Sequence, residues 1–184
     1  ERDTDSYALE LRTEISDDLT VAASGRYDDN SEFDSASTFR VEAIYQLNNS
    51  LRLRSAYGTA VKNPTFTERF GFYTNFIGNP NLEPEESSSW ELGIDKQMGE
   101  LDLSATLFDA ELENEIDGFV YDPATFAYTS GNKEGTSQRQ GVELTASVAM
   151  SDRLVINAAY TYTDSVEADG AGGYRDEIRR ARHT

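Results

Sequence analysis

Apolar and polar residues alternate with a period of two along most of the chain. Tyr7, Leu9, Leu11, Thr13 and Ile15 share one face, while Ala8, Glu10, Arg12 and Glu14 share the other. Leu19, Val21, Ala23, Gly25 and Tyr27 repeat the pattern, as do Phe39, Val41, Ala43, Tyr45 and Leu47. Leu51, Leu53, Ser55 and Tyr57 continue it, then Trp90, Leu92 and Ile94. Alternation of this kind predicts strands with one apolar face. With Leu101–Leu107, Gln138–Ala149 and Leu154–Thr163 added, about eight strands result, and nothing reads as a long helix.

One segment breaks the phase. Leu101, Leu103, Ala105 and Leu107 fall on odd positions, but Phe108, Ala110, Leu112 and Ile116 fall on even ones. A β-bulge near Leu107-Phe108 would produce the shift. So would a strand that leaves its apolar surroundings and continues into a loop; the competing reading is a short helix, since Phe108, Leu112 and Ile116 are also spaced i, i+4.

The connections alternate as strictly as the residues. Turns near Asp17, Asn49, Gly99 and Asp152 take a few residues each, whereas the linkers near Asp29–Ser37, Val61–Ser89, Tyr121–Ser137 and Asp164–Arg179 are long. A meander with short turns at one end and long loops at the other matches an outer-membrane barrel. A strand of about ten residues, tilted near 40°, also spans the ~25 Å apolar band of such a barrel. Tyr7, Tyr27, Phe39, Tyr45, Tyr57, Trp90, Tyr160 and Tyr162 lie mostly near strand ends, where aromatic girdles sit. The opposite faces carry Glu10, Arg12, Glu14, Arg40, Glu42, Arg52, Arg54, Glu91 and Asp95, which a wet lumen accepts and lipid rejects. A soluble sheet with one wet face explains the alternation equally well; the loop rhythm separates the two.

Composition narrows the classes further. The 184 residues suffice for one domain, and a mean hydropathy of −0.61 is compatible with strands that alternate. No apolar run approaches the roughly 18–20 residues of a transmembrane helix. A net charge of −18 argues against nucleic acid as a partner. The basic cluster Arg175, Arg179, Arg180 and Arg182 reads as a polar strand start. There is no cysteine, hence no disulfide, thiol nucleophile or Cys-based metal site. Glu1 and the abrupt stop after Arg179–Thr184 read as the ends of an internal piece of something longer.

Catalytic chemistry is not indicated, and no cofactor is expected. The single His183 has no Asp or Ser motif around it, and Gly170, Gly172 and Gly173 form a flexible polar loop rather than a phosphate cradle. Asp28, Asp29, Glu32 and Asp34 supply oxygen ligands of the kind calcium takes, but without the ordered spacing of a calcium loop; they read as a solvated loop by default. The loop Val61–Ser89 is the chief candidate for function. Loops above roughly 12–15 residues are uncommon without a purpose, and this one holds all the prolines but one, with Arg69, Phe70, Phe72, Tyr73 and Phe76 at its centre. These aromatics suit a flat or macrocyclic ligand, or packing of the loop on its neighbours.

The residues also carry a resemblance. Leu53-Arg54-Ser55-Ala56-Tyr57-Gly58-Thr59-Ala60-Val61-Lys62-Asn63-Pro64, then Gly78-Asn79-Pro80-Asn81-Leu82-Glu83-Pro84-Glu85 followed by Trp90-Glu91-Leu92-Gly93, resemble motifs of TonB-dependent outer-membrane receptors. Gln140-Gly141-Val142-Glu143-Leu144 resembles a third, and Arg179-Arg180-Ala181-Arg182-His183 a fourth, with Ala181 where the family usually has proline. The matches keep the family's order over most of the chain, and their loop style is closest to the cobalamin-receptor-like branch.

The resemblance implies an all-β, antiparallel up-and-down transmembrane barrel segment, residues 1–184 being part of a barrel of about 22 strands in the bacterial outer membrane. It implies active uptake of a ferric siderophore or cobalamin, with TonB engaged through a plug domain that is absent here along with the remaining strands. Arg69, Phe70, Phe72, Tyr73 and Phe76 are then the expected ligand contacts. Asn63, Pro64, Gly78, Asn79, Pro80, Leu82, Pro84 and Glu85 are expected to be architectural, because proline fixes φ and restricts the residue before it. Lumen charges such as Arg52 and Arg54 would touch the plug. Two rivals predict otherwise: a complete eight-stranded barrel with a structural or adhesive role, and a soluble β-sandwich binding domain. With its neighbouring strands missing, the sheet is expected to stand open with two unpaired edges or to close into a smaller barrel.

Overall fold

The computed structural model describes residues 2–169, 173–178 and 181–184. Expectations for Gly170, Gly172, Arg179 and Arg180 lie outside the described residues. The eight expected strands are all present and run longer than their alternation suggested: β1 (Thr4–Ser16), β2 (Leu19–Asn30), β3 (Ala36–Asn48), β4 (Leu51–Lys62), β5 (Glu85–Met98), β6 (Leu101–Glu113), β9 (Thr136–Ser151) and β10 (Leu154–Ala168). A five-residue helix, α1 (Phe66–Phe70), lies in the loop after β4. Two strands, β7 (Ile116–Asp122) and β8 (Ala127–Asn132), form a separate hairpin between β6 and β9, and a short β11 (Tyr174–Asp176) pairs with the end of β10.

The main sheet is a nine-stranded antiparallel meander in the order β1-β2-β3-β4-β5-β6-β9-β10-β11. It is open, with no pairing between its first and last strands among the described residues. Beside β10, the segment 182–184 adds further ladder bonds, from Thr161 N to Thr184 O at 2.9 Å and from Thr163 N to Arg182 O at 2.9 Å.

Register turns eight separate alternations into two continuous faces. Leu11 pairs with Ala23, Ala23 with Val41, Val41 with Tyr57 and Tyr57 with Trp90. Farther along, Leu92 pairs with Leu107, Leu107 with Val142 and Val142 with Tyr162. Because strand neighbours project to the same side, the odd residues of β1–β4 and β6 and the even residues of β5, β9 and β10 form one apolar face. Its Leu9, Leu11, Val41, Leu92, Ile94, Leu107, Leu144 and Ile156 are exposed. The other face is polar. There Asp95 receives Arg52 Nε at 2.9 Å and Arg54 Nε at 2.8 Å, while Arg54 also reaches Ser104 Oγ at 3.2 Å and Thr106 Oγ1 at 3.1 Å. Gly93 leaves room for this guanidinium, since a Cβ would stand 2.7 Å from an Arg54 nitrogen.

The bulge expected at Leu107-Phe108 is absent. β6 pairs without a shift on both sides, Leu107 with Leu92 and Val142, and Phe108 with Glu91 and Gly141. Phe108 is instead an aromatic on the polar face, where its ring lies over Gly141; a Cβ there would come within 2.7 Å of Phe108 Cζ. The strand runs on to Glu113 and carries its polar residues beyond the apolar band, the other expectation for this segment. In the main sheet register shifts occur near the short turns instead, at Glu14/Ser16, Gln46/Asn48 and Leu154/Val155.

The loop bounds also need correction. Val61–Ser89 narrows to residues 63–84, because the ladder continues to Lys62–Glu85. The linker Tyr121–Ser137 is largely the β7–β8 hairpin, and much of Asp164–Arg179 is the end of β10 with β11.

Candidate ligand-binding site

The loop after β4 is built on local chemistry. Thr65 caps α1: its hydroxyl accepts from Glu68 N, and the Glu68 carboxylate accepts from Thr65 N at 2.7 Å. This reciprocal capping box satisfies two backbone donors at the helix start. The T-x-x-E spacing of Thr65 and Glu68 is the signal that would have revealed the helix. Gly71 ends the helix at φ 71°, a region that glycine enters without steric cost. The chain then folds back so tightly that a Cβ on Gly78 would lie 2.3 Å from the backbone nitrogens of both Phe70 and Gly71. No flexible side chain can yield there, because the obstructing atoms are backbone.

The returning segment fastens to the hairpin. Ile77 N donates to Tyr128 O at 2.8 Å, and Tyr128 N to Asn75 O at 2.9 Å. Asn79 Nδ2 donates to Ser130 O at 3.0 Å, and Asn79 N to Glu68 O at 2.9 Å. Asn132 binds both backbone groups of Glu83, accepting from its N at 2.9 Å and donating to its O at 3.0 Å. Leu82 is 4% exposed and Ala127 6%, and they are the only buried hydrophobic residues of this kind among the described residues. Pro64 and Ser130 are also fully buried. Glu85 accepts from Ile116 N at 2.8 Å and pairs with Lys62 at 2.7 Å.

The five expected contact residues divide. Phe70, Phe72 and Tyr73 are exposed, Phe72 to 83%, with Phe72 and Tyr73 edge to face at 5.8 Å. Phe76 is half-buried and packs on Phe119 at 5.6 Å. Arg69 is held by the framework: it pairs with Glu32 at 3.1 Å and lies over the Phe33 and Phe70 rings, 4.8 and 5.1 Å from their centroids. On the hairpin, Phe119, Tyr121 and Tyr128 continue the aromatic surface at ring distances of 5.6–5.9 Å. Phe126 at the hairpin tip is 80% exposed with φ 55°. Sequence reading passed over these four because their segment looked like a plain linker. The available signal was Phe119/Tyr121 and Tyr128 flanking the turn Asp122-Pro123-Ala124-Thr125.

A charged junction lies where β9 and β10 rise above the tyrosines that end their apolar face. Lys133 pairs with Glu115 at 3.3 Å and also with Glu167; Arg139 pairs with Glu115 at 3.1 Å and Glu177 at 2.9 Å; Arg175 pairs with Glu167 at 2.6 Å. Burial opposes the charge on Glu167, but hydrogen bonds from Lys133 and Arg175 outweigh it and hold the carboxyl below its usual range. Burial likewise opposes the charge on Lys133, and its bonds to Glu167 and Glu115 raise it above the usual lysine range. Of the carboxylates weighed for calcium, Asp28 is bonded to Ser6 and Arg26 and Glu32 is paired with Arg69. Among the described residues no group of three or more His, Cys, Asp or Glu is placed to hold a metal ion.

Comparison with known proteins agrees with this architecture. The family model described as TonB dependent receptor-like, beta-barrel matches residues 1–184, so the chain belongs to the TonB-dependent receptor β-barrel family, and its sheet is part of an outer-membrane barrel. It is 31% identical over 186 residues to the vitamin B12 transporter BtuB of Photobacterium profundum, covering 99% of this chain and 29% of the relative. The siderophore receptor PirA from Pseudomonas aeruginosa superposes with a TM-score of 0.77 at 21% identity, over 88% of this chain and 32% of PirA. A mutant ferric enterobactin receptor from the same organism, solved with enterobactin, gives a TM-score of 0.73 at 20% identity, over 87% of this chain and 26% of the receptor. The chain thus spans under a third of each of these relatives.

Proposed function

We propose that the chain contributes eight strands and two ligand-facing loops to a receptor that takes up a ferric siderophore or cobalamin across the outer membrane. Energy comes from TonB, acting through a plug domain carried elsewhere in the protein. The observation that carries this reading is the joining of two aromatic loops through Phe76–Phe119 and the Asn75 and Ile77 bonds to Tyr128, with Phe70, Phe72 and Tyr73 exposed on the first and Phe119, Tyr121, Phe126 and Tyr128 on the second. Exposed aromatics in such number are costly on a plain surface and characteristic of a binding patch. Phe126 adds to this, because a bulky residue at positive φ is strained, and such strain clusters at functional positions.

The loop divides its labour. Phe70, Phe72 and Tyr73 meet the ligand; Phe76 ties their loop to the hairpin by packing on Phe119. Arg69 acts by holding Phe70 and the neighbouring loop of Glu32 and Phe33. Asn63, Pro64, Gly78, Asn79, Pro80, Leu82, Pro84 and Glu85 form the framework that locks one loop to the other. On the polar face, Arg52 and Arg54 with Asp95 face the lumen, where a plug would lie.

Uptake of labelled cobalamin and ferric siderophores by cells carrying the full-length receptor tests the proposal. Uptake should require TonB and fall when Phe72 and Tyr73 are both replaced by alanine while the receptor remains in the membrane. TonB-independent accumulation, or uptake indifferent to these rings, would overturn it.

A further inference from the structure

Charge adds what the aromatics leave open. The segments 31–35, 63–84 and 114–135 make up the loop cluster around the aromatic surface. They carry eight carboxylates (Glu32, Asp34, Glu68, Glu83, Glu115, Asp117, Asp122 and Glu134) against two cations, Arg69 and Lys133. Both cations are engaged, Arg69 by Glu32 and Lys133 by Glu115 and Glu167. The cations on the strand ends nearby are engaged as well: Lys62 by Glu85, Arg139 by Glu115 and Glu177, and Arg175 by Glu167. Arg2 has no carboxylate among the described residues, but it donates to Pro64 O at 2.9 Å and lies over Phe33 and Phe66.

The carboxylates are not balanced in the same way. Asp34, Glu83, Asp117 and Glu134 have no ion-pair partner among the described residues. Asp117 accepts only from Phe119 N, at 3.0 Å, and so stands beside the aromatic surface. Asp122 is kept ionised, its carboxyl held below the usual range by bonds from Ala124 N and the Thr125 hydroxyl. A ligand approaching these rings therefore crosses a negative field in which, among the described residues, Arg2 is the one cation without a carboxylate, and its guanidinium is turned onto Pro64 O and the Phe33 and Phe66 rings. Such a field attracts cations and repels anions over about a Debye length.

We propose that the site selects by charge: its ligand is a neutral or cationic chelate with a flat or macrocyclic apolar surface, and polyanionic tris-catecholate chelates are rejected. Asp34, Glu83, Asp117 and Glu134 are the residues that set this selectivity. The inference rests on the reading of Phe72 and Tyr73 as ligand surface, and the experiment separates the two. Titration of the purified full-length receptor with cyanocobalamin (neutral), ferrioxamine B (cationic) and ferric enterobactin (a trianion) should show a neutral or cationic probe binding at least about a hundredfold more tightly than the trianion. Binding of the cationic probe should weaken with added salt, and residual binding of the trianion should strengthen. The combined variant Asp34→Asn, Glu83→Gln, Asp117→Asn, Glu134→Gln should cut that discrimination about tenfold or more. Its fold is checked by retention of the heat-modifiable barrel band. Tight trianion binding that Phe72→Ala with Tyr73→Ala abolishes would overturn the charge inference and leave the aromatic surface standing. Binding that the aromatic pair does not affect, or no binding by any probe, would overturn both.

Discussion

The sheet and the loop cluster above it are held by different means. The sheet is a backbone ladder with two faces and almost no interior, and its apolar residues stay exposed unless another phase covers them. The loop cluster has the opposite design. It contains both of the buried hydrophobic residues found among the described residues, Leu82 and Ala127. It is closed by asparagine side chains that bind backbone groups, and by glycines packed against backbone. The first region takes its stability from lipid, which removes the apolar face from water, and from lateral pairing, which leaves no ladder group unsatisfied in the membrane. The second must be stable in water by itself, so it has a small core and a dense polar framework.

The sharpest way to break this comparison is to place the same charge in each region. Leu92→Arg puts a guanidinium on the lipid face and should cost about 2–4 kcal/mol if the site lies near the midplane. Phe72→Arg in the loop should leave barrel stability unchanged. Denaturant unfolding of the full-length receptor in lipid vesicles reads both, and equal effects would show that the apolar face is not covered by lipid.

Next in size is Gly78→Ala. A Cβ at 2.3 Å from two backbone nitrogens forces α1 and the returning segment apart, at a cost of about 1–3 kcal/mol for overpacking. The effect should stay local. Amide exchange at Ile77, Asn79 and Tyr128 should accelerate, while the ladder amides of β5 and β6 keep their protection. Loss of protection throughout the sheet would mean that the two regions are one cooperative unit.

These two regions were also unequally legible. The sheet could be read because a period of two is enforced by the environment on each side, so the residues of all eight strands announce their faces. Even its one misreading, Phe108, has a physical cause: an aromatic sits on the polar face because Gly141 opposite leaves space for its ring. The loop cluster was legible only at its punctuation. Pro64, Gly78, Asn79 and Pro84 marked where the chain turns, but the partners of Asn79 and Glu83 lie about fifty residues away in a hairpin that looked like a linker. Pairings of that kind leave no local periodicity. The partners of Arg69 show the same limit: Glu32 and Phe33 come from a loop far back in the chain.

A smaller effect should follow from pH at the junction between the regions. The folded carboxyl of Glu167 lies below the ordinary value of 4.5. Its contribution is therefore fully present above that value and lost as pH falls through the lower folded value. Lys133 lies above the ordinary 10.5, so its contribution is complete below that value and lost only as pH rises past the higher one. The β8–β9 junction should thus be unaffected from about pH 5 to 10 and loosen outside that window. Limited proteolysis near Lys133 at graded pH checks this, and Glu167→Gln should remove the acid-side step. An acid-side step of unchanged size in that variant would assign the transition to other carboxylates.

The smallest effect is expected where function is proposed to be greatest. Phe72 is 83% exposed, and its one ring contact is with Tyr73, which is itself exposed. Truncation there removes almost no buried surface, so Phe72→Ala should change stability by no more than about 0.5 kcal/mol. A ring that packs the loop on its neighbours would cost several times more, in the range of buried phenylalanines. Thermal unfolding of the full-length receptor, paired with ligand titration, separates the two roles. If the ring serves the ligand, affinity falls while the unfolding midpoint stays in place. If it serves the loop, the midpoint and the protection of Asn79 and Tyr128 fall together with affinity.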